Sequence, residues 1–139
     1  MDVVDSATRS RIMSAIGARN TVPELAVRKA LQAAGLRFRL HRRDLPGRPD
    51  IVLPKYRTVV FVHGCFWHRH SGCRYATTPA SNVLFWQQKF AGNVERDARQ
   101  RRALRGAGWR VLTIWECQSR SLPVLGTLIS RIRAGLGRQ

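Results

Sequence analysis

The chain has 139 residues, of which 44% are hydrophobic, and its 25 Lys and Arg outweigh 8 Asp and Glu to give a formal net charge of +17. This length suits one domain over residues 1–139 with a real core, and three cysteines are too few for a disulfide scaffold. The absence of an apolar run of about 18 residues and of a secretory leader argues against a membrane protein, so we expect a cytoplasmic protein.

The positive charge indicates a polyanionic partner. Arginine supplies 22 of the 25 basic residues, and its planar guanidinium binds phosphates and base edges with two hydrogen bonds. The basic residues are spread through segments that look structured, which argues against a disordered basic tail. We therefore expect a nucleic-acid-binding protein, with a ribosome-associated or membrane-surface basic protein as the alternative.

Two helices are predicted first, over residues 7–18 and from Thr21 to Gly35. The first would form an arm, residues 1–20, that contacts DNA. Thr21 and Glu24 have the spacing of a capping box, so capping is the simpler role for Glu24 and a catalytic role would be additional.

A β-hairpin dominates the middle of the chain. Residues 36–41 alternate between apolar and polar and predict a half-buried strand. Residues 51–53 and 58–62 predict paired strands around a turn at 54–57. Residues 64–81 look irregular.

The second half alternates helix and strand. A helix is expected over residues 82–105, with Ser81 as its cap and Gly92 as a break, and a last helix over 123–134. A buried strand lies between them at 109–115. This order predicts a single α/β domain with a mixed central sheet flanked by helices.

Cys65, His70 and Cys73 lie within nine residues, and Cys117 follows the last strand. Three cysteines and one histidine make the closed tetrahedral shell of a structural zinc site, which would staple the irregular loop to the sheet. His68 also lies between the two cysteines and could ligate instead. The alternative is that Cys117 is a buried apolar residue.

A second group offers nuclease chemistry. Asp50 precedes one hairpin strand, His63 ends its partner, and His68 follows after a short turn. A carboxylate can hold Mg²⁺ and a neutral histidine can activate water, as phosphodiester hydrolysis requires. Taken alone, Asp50 could be a loop cap and His63 a satisfied residue at a strand end.

Aromatic residues lie inside and after this cluster. Phe66 and Trp67 would be held rigidly by a zinc site, and Trp86 stands near a helix start. Packing is their ordinary role, but rigid aromatic side chains can also wedge between base pairs. Trp109 and Trp115 are expected in the core.

Several motifs resemble those of the very short patch repair (Vsr) mismatch endonucleases, in order and with matching gaps. They are DSATRSRIM at 5–13, PELA at 23–26, LPGRPD at 45–50, HGCFWH at 63–68, NVERD at 93–97, GWRV at 108–111 and WEC at 115–117. The resemblance implies a restriction-endonuclease-like fold and a strand-specific nick 5′ to the thymine of a T:G mismatch, which arises when 5-methylcytosine deaminates. It also implies a functional link to a cytosine-5 DNA methyltransferase.

The resemblance assigns roles to single residues. Asp50 would be the Mg²⁺ ligand and His68 the general base, with His63 and Glu24 in support. Zn²⁺ would be held by Cys65, His70, Cys73 and Cys117. DNA would be contacted by Phe66, Trp67, Trp86, Met13, Arg48 and Asn93.

One departure separates this chain from the wider nuclease fold. An acidic-x-Lys pair is usual on the second hairpin strand, but Phe61-Val62-His63 stands here, so a backbone carbonyl would be the second metal ligand. Two other functions stay open, a non-catalytic zinc-stapled DNA-binding module and a restriction-type enzyme acting on matched duplex. One nick needs one active site, which favours a monomer.

Overall fold

The computed structural model describes residues 21–135. One helix precedes three consecutive strands, and a helix, a strand and a last helix follow, with 3₁₀ turns at Pro54–Tyr56 and Glu116–Gln118. In order they are α1 (Val22–Ala33), β1 (Arg39–Leu40), β2 (Ile51–Leu53), β3 (Thr58–His63), α2 (Val83–Gly106), β4 (Arg110–Trp115) and α3 (Leu122–Ala134). The predicted first helix, residues 7–18, and the arm at 1–20 lie outside the described residues.

The four strands form one mixed sheet in the order β1-β2-β3-β4. The hairpin pairs Ile51 with Val60 in an antiparallel register. Strand β4 runs parallel to β3 and pairs Trp115 with His63. A parallel pair needs a crossover connection, and α2 provides it. The expected mixed α/β sheet is therefore confirmed.

Successive side chains along each strand point to opposite faces of the sheet, and each face is covered by an apolar layer. One face of the sheet packs against α1 and α3, and its buried residues include Val27, Leu31, Ile51, Val60, Leu112, Ile114, Leu128 and Ile132. The other face packs against α2 through Val52, Val59, Phe61, Leu104 and Trp109. Because β2 and β3 are covered on both faces, nearly all of their side chains are buried.

Three local predictions need correction. The strand expected over 36–41 is shorter and consists only of Arg39–Leu40. Both residues are exposed because β1 is the edge strand of the sheet, and Leu36 is the one buried residue of the segment. Gly92 does not break α2, which is continuous for 24 residues. The residue before its first turn is Asn82, not Ser81, and Asn82 makes no side-chain cap hydrogen bond.

The N-terminal cap of α1 is as predicted, since the Thr21 hydroxyl accepts a hydrogen bond from the Glu24 amide at 3.3 Å. Within residues 21–135, no helix has both the length and the apolarity needed to cross a membrane.

Candidate active site and metal centre

One end of the sheet collects the side chains that carry chemistry. Asp50 stands just before β2, and its carboxylate accepts a hydrogen bond from the Val62 amide at 2.7 Å. This bond ties Asp50 to the end of β3, where His63 closes the strand. The antiparallel register therefore brings the start of one strand and the end of the next to the same edge.

The parallel register explains why Cys65 and Cys117 meet. His63 pairs with Trp115, and each cysteine lies two residues beyond its paired strand residue. The Glu116 carboxylate also accepts a hydrogen bond from the Cys65 amide at 3.3 Å. A separation of 52 positions in sequence becomes a direct contact through strand pairing.

The geometry of the Cys/His cluster fits a tetrahedral metal. The Sγ atoms of Cys65, Cys73 and Cys117 and a ring nitrogen of His70 all lie within 4.8 Å of one another. His70 Nδ1 is 3.7 Å from the Cys65 sulfur and 3.4 Å from the Cys117 sulfur. With Zn–S bonds of about 2.3 Å, Zn–N bonds of about 2.0–2.1 Å and tetrahedral angles, the sulfur and nitrogen ligands of one zinc ion lie about 3.6 Å apart. The cluster could therefore hold a zinc ion.

Burial raises the pKa of the Cys65 thiol to about 12. Such a thiol stays protonated near neutral pH unless a cation replaces its proton, as a bound metal does. The ring of His70 is stacked on Trp115, with 4.3 Å between ring centroids, so its orientation is restrained from the side.

His68 belongs to a different group. Its Nδ1 lies 2.6 Å from Asp97 Oδ2 on α2, and its ring stacks on His63 with 3.8 Å between centroids. Asp97 is 7% exposed and His63 is 5% exposed. A carboxylate that accepts from Nδ1–H leaves Nε2 of the neutral imidazole with a free lone pair, which is the state a general base needs.

The two neighbours of His68 have shifted pKa values. Burial raises the pKa of Asp97, but the hydrogen bond and charge of His68 outweigh it and the pKa lies below its ordinary value. Burial, followed by the nearby charge of His68, lowers the pKa of His63 to about 3. At neutral pH an ionised Asp97 therefore faces His68, and a neutral His63 stacks on it.

A third group lies around Asp50. One oxygen or nitrogen each from Glu24, His41 and Asp50 lie within 4.8 Å of one another. Glu24, in the first turn of α1, is 2% exposed, so the carboxylate that it brings to this group is buried. Burial raises the pKa of Asp50 to about 7; the Val62 amide lowers it, and the neighbouring Glu24 raises it further.

The predicted catalytic residues are thus distributed over two groups. Asp50 lies with Glu24 and His41, whereas His63 lies with His68 and Asp97. His63 lies on the side of β3 that faces α2, as Phe61 does. Asp50 precedes β2 and is outside the strand, and its carboxylate is held by the Val62 amide near Glu24 and His41. The two groups flank the same end of β3.

The aromatic residues pack on one another. Phe66 meets Trp67, Trp86 and Phe90 edge to face, with centroids 5.0 to 5.7 Å apart. Trp86 is 3% exposed, and its buried indole N–H has no hydrogen-bond partner among residues 21–135. Phe66 and Trp67 are half-buried. A role for Trp86 in DNA insertion would require it to leave this cluster.

The other predicted DNA contacts have mixed surroundings. Arg48 is exposed in the loop before β2. Asn93 donates from Nδ2 to the Trp67 carbonyl at 3.2 Å, so it supports the aromatic loop from α2. Met13 lies outside the described residues.

Three residues of the site escaped prediction from sequence. Asp97 was identified only as part of the NVERD motif, with no role of its own, and His41 only as the last residue of a predicted strand. Arg69 ties the irregular loop together by donating to the carbonyls of Phe66, Ala76 and Thr77 and to the Thr78 hydroxyl. The NVERD motif contained a signal for Asp97, because a carboxylate in a motif shared with nucleases is a candidate hydrogen-bond partner for a catalytic histidine.

Comparison with known proteins identifies the family. The profile described as DNA mismatch endonuclease Vsr matches residues 1–74. The DNA mismatch endonuclease Vsr of Escherichia coli (strain K12) is 49% identical over 119 residues, covering 86% of this chain and 76% of that protein. The chain belongs to the Vsr family of DNA mismatch endonucleases.

Other relatives of this Vsr-family chain are nicking enzymes. Type II nicking enzyme V.XorIIP of Xanthomonas oryzae pv. oryzae is 48% identical over 132 residues, covering 95% of this chain and 94% of that protein. Type II nicking enzyme V.NmeAIP of Neisseria meningitidis is 40% identical over 131 residues, covering 94% and 93%. The chain is therefore a DNA endonuclease.

The fold also has a solved counterpart. The catalytic domain of homing endonuclease I-Bth0305I superposes with a TM-score of 0.53 at 22% identity, covering 84% of this chain and 94% of that domain. The sheet and helices of this Vsr-family chain are accordingly those of a nuclease fold.

Proposed function

We propose that this endonuclease nicks one strand of duplex DNA 5′ to the thymine of a T:G mismatch left by deamination of 5-methylcytosine, and so initiates very short patch repair. The observation that carries the proposal is the 2.6 Å contact between His68 Nδ1 and Asp97 Oδ2 at the end of the sheet that also bears Asp50. The name of the Escherichia coli relative supports the mismatch as substrate.

His68 is the general base in this proposal. Asp97 accepts a hydrogen bond from Nδ1–H and fixes the ring, so that Nε2 can take a proton from the attacking water. Positioned base catalysis of this kind contributes about 10²–10⁴-fold to the rate. His63 restrains the ring by stacking and remains neutral because burial lowers its pKa to about 3. The products would be a 3′-hydroxyl and a 5′-phosphate.

Asp50 is the proposed ligand of catalytic Mg²⁺. The Val62 amide donates to one carboxylate oxygen, and the Glu24 carboxyl lies beside the Asp50 side chain. Mg²⁺ is usually held by one or two carboxylates together with waters and substrate phosphate. When bound, it would supply the positive charge that stabilises the phosphate during cleavage. Glu24 would support Asp50 within the same group.

The Cys/His cluster is proposed as a structural Zn²⁺ site. The donor set of three thiolates and one imidazole is that of closed zinc sites. Its function would be to fasten the irregular loop, which carries Phe66 and Trp67, to the end of β4.

DNA recognition is proposed to use the aromatic residues and the positive charge. Phe66, Trp67 and Trp86 would wedge beside the mismatch, which is cheaper to unstack than a matched pair. Arg48, Asn93 and Met13 would contact the duplex around it. The net charge of +17 supplies affinity for the phosphates.

The origin of the lesion suggests the wider setting. A T:G mismatch of this kind forms only where cytosine is methylated, so the enzyme would accompany a cytosine-5 DNA methyltransferase. It would act in the cytoplasm on nucleoid DNA. A single-strand nick requires one active site, and we propose a monomer.

A nicking assay tests the function directly. Two end-labelled duplexes that differ only in one T:G or T:A pair, placed in several cytosine-methylation sequences, are incubated with Mg²⁺ and the wild-type protein. We expect cleavage of the thymine strand of the T:G duplex alone. Asp50→Ala should abolish nicking and retain DNA binding, whereas Asp44→Ala, at an exposed carboxylate outside the three groups, should nick normally.

The same assay separates the alternatives. Equal cleavage of both duplexes would refute the mismatch proposal and favour an enzyme of matched duplex. Several relatives are named Type II nicking enzymes, and those names do not mention a mismatch, which is why cleavage of matched duplex is the second candidate. Salt-sensitive binding without cleavage of any target would favour a zinc-stapled DNA-binding module.

A further inference from the structure

The group around Asp50 contains an imidazole beside its two carboxylates. Glu24 lies in the first turn of α1, His41 directly follows β1, and Asp50 directly precedes β2. His41 Nε2 is 3.3 Å from Glu24 Oε2, and the His41 amide donates to the Asp50 carbonyl at 3.3 Å. Strand pairing at the sheet edge thus holds His41 next to Asp50.

A cation already lies among these ligands. The Arg28 side chain, one turn after Glu24 on α1, donates through Nη2 to Glu24 Oε2, and the same nitrogen is 3.0 Å from His41 Nε2. The exposed fractions are 14% for Arg28, 21% for His41 and 2% for Glu24, so this contact is largely shielded from water. The guanidinium therefore neutralises a buried carboxylate in the present arrangement.

The ligand spacing also suits a metal ion. An octahedral cation with bonds of about 2.1 Å has neighbouring ligands about 3.0 Å apart and opposite ligands about 4.2 Å apart. The His41–Glu24 separation of 3.3 Å corresponds to neighbouring ligands. All three ligand atoms lie within 4.8 Å of one another, so they would need to move only slightly closer together to bind one cation.

We propose that His41 is a third protein ligand, with Glu24 and Asp50, of the divalent cation at this site, and that Arg28 is the internal counter-ion which the cation displaces. The inference rests on the proposed metal-binding role of Asp50 and extends it. An imidazole nitrogen in the set favours a transition-metal ion over Mg²⁺, which prefers oxygen ligands. The site would therefore bind Mn²⁺ more tightly than Mg²⁺.

If the metal ion and the Arg28 guanidinium compete for the same ligands, substitutions of His41 and Arg28 should change metal affinity in opposite directions. Removing His41 deletes a ligand and weakens metal binding. Removing Arg28 deletes the competitor and strengthens it. A purely structural role predicts that both substitutions, by loosening the group, weaken binding.

The test measures Mn²⁺ binding without DNA, by loss of the free Mn²⁺ signal in electron paramagnetic resonance, on the full chain with zinc in its Cys/His cluster. His41→Ala is expected to weaken Mn²⁺ binding about tenfold, and His41→Gln, which keeps a hydrogen-bonding side chain, should weaken it similarly. Arg28→Ala is expected to tighten it several-fold. Arg37→Ala removes the same charge from an exposed site outside the group and should change affinity little.

Two results would overturn the inference. One is unchanged Mn²⁺ affinity in both His41 variants, and the other is weaker binding in Arg28→Ala. Nicking assays keep this outcome distinct from the proposed function. If Asp50→Ala abolishes nicking while His41→Ala binds Mn²⁺ normally, the function stands and the His41 ligand is refuted. If Mn²⁺ binding follows the expected pattern but no duplex is nicked, the metal site stands and the function fails.

Discussion

Asp50→Asn should stabilise the protein when no divalent cation is bound. The Asp50 carboxylate lies next to Glu24, and burial raises its pKa to about 7. Asparagine has nearly the same shape, can still accept the Val62 amide hydrogen bond through its carbonyl oxygen, and carries no charge. The substitution removes the cost of ionising a buried group while leaving the packing intact.

The expected size follows from linkage between protonation and folding. An unfolded aspartate has a pKa of about 3.9, so between this value and about 7 the folded protein holds a proton that the unfolded chain has released. The free energy of unfolding therefore falls as pH rises through this window. The shift of about three pKa units corresponds to at most about 4 kcal/mol above pH 7 and to about 1.5 kcal/mol near pH 5.

Urea denaturation of both proteins between pH 5 and pH 8.5, without added divalent cation and with zinc retained, measures this difference. We expect the advantage of Asp50→Asn to grow with pH and to level off above about pH 7. Asp44→Asn is the matched control, because Asp44 is 61% exposed and its pKa is lowered by a hydrogen bond from Arg42, so no growing advantage is expected. Equal stability of Asp50→Asn and wild type at pH 8 would refute the reasoning.

Three further predictions concern the other groups. Asp97→Asn should reduce nicking about 10²–10⁴-fold with duplex binding unchanged, measured by gel assay and fluorescence anisotropy, because the His68 ring loses the carboxylate that orients it. Cys117→Ser should lose zinc, counted per chain by elemental analysis, and lower the melting temperature. Trp86→Ala should cost about 3–5 kcal/mol in urea denaturation because the side chain is 3% exposed, whereas Phe85→Ala, at 49% exposure, should cost much less.

Each of these can fail clearly. Equal loss of nicking and of binding in Asp97→Asn would point to damaged folding instead of an orienting role. Full zinc content in Cys117→Ser would remove Cys117 from the metal shell. A stability loss for Phe85→Ala as large as that for Trp86→Ala would contradict the difference in burial.

Local signals in the sequence predicted the elements well where periodicity or turn chemistry was strong. The hairpin around residues 54–57, the Thr21 cap and the last helix all follow from short stretches of chain. The strand over 36–41 failed because alternation reports potential burial, whereas a place at the sheet edge decides actual burial. Gly92 did not break α2, since packing of that helix on the sheet outweighs the cost of about 1 kcal/mol that glycine carries in a helix.

By itself, the sequence determined the family, the mixed α/β fold and the strong positive charge, and it indicated the Cys/His cluster and Asp50 as candidate metal ligands, but not His41 or Asp97. Only the tertiary structure decided how those residues are grouped. The parallel register of β3 and β4 joins Cys65 to Cys117, and α2 carries Asp97 to His68. Asp50 lies with Glu24 and His41, whereas His63 lies with His68 and Asp97, and the pairing of the chain around β1 and β2 brings His41 to Asp50. These contacts join residues far apart along the chain, and no local pattern encodes them because they depend on strand register and helix packing.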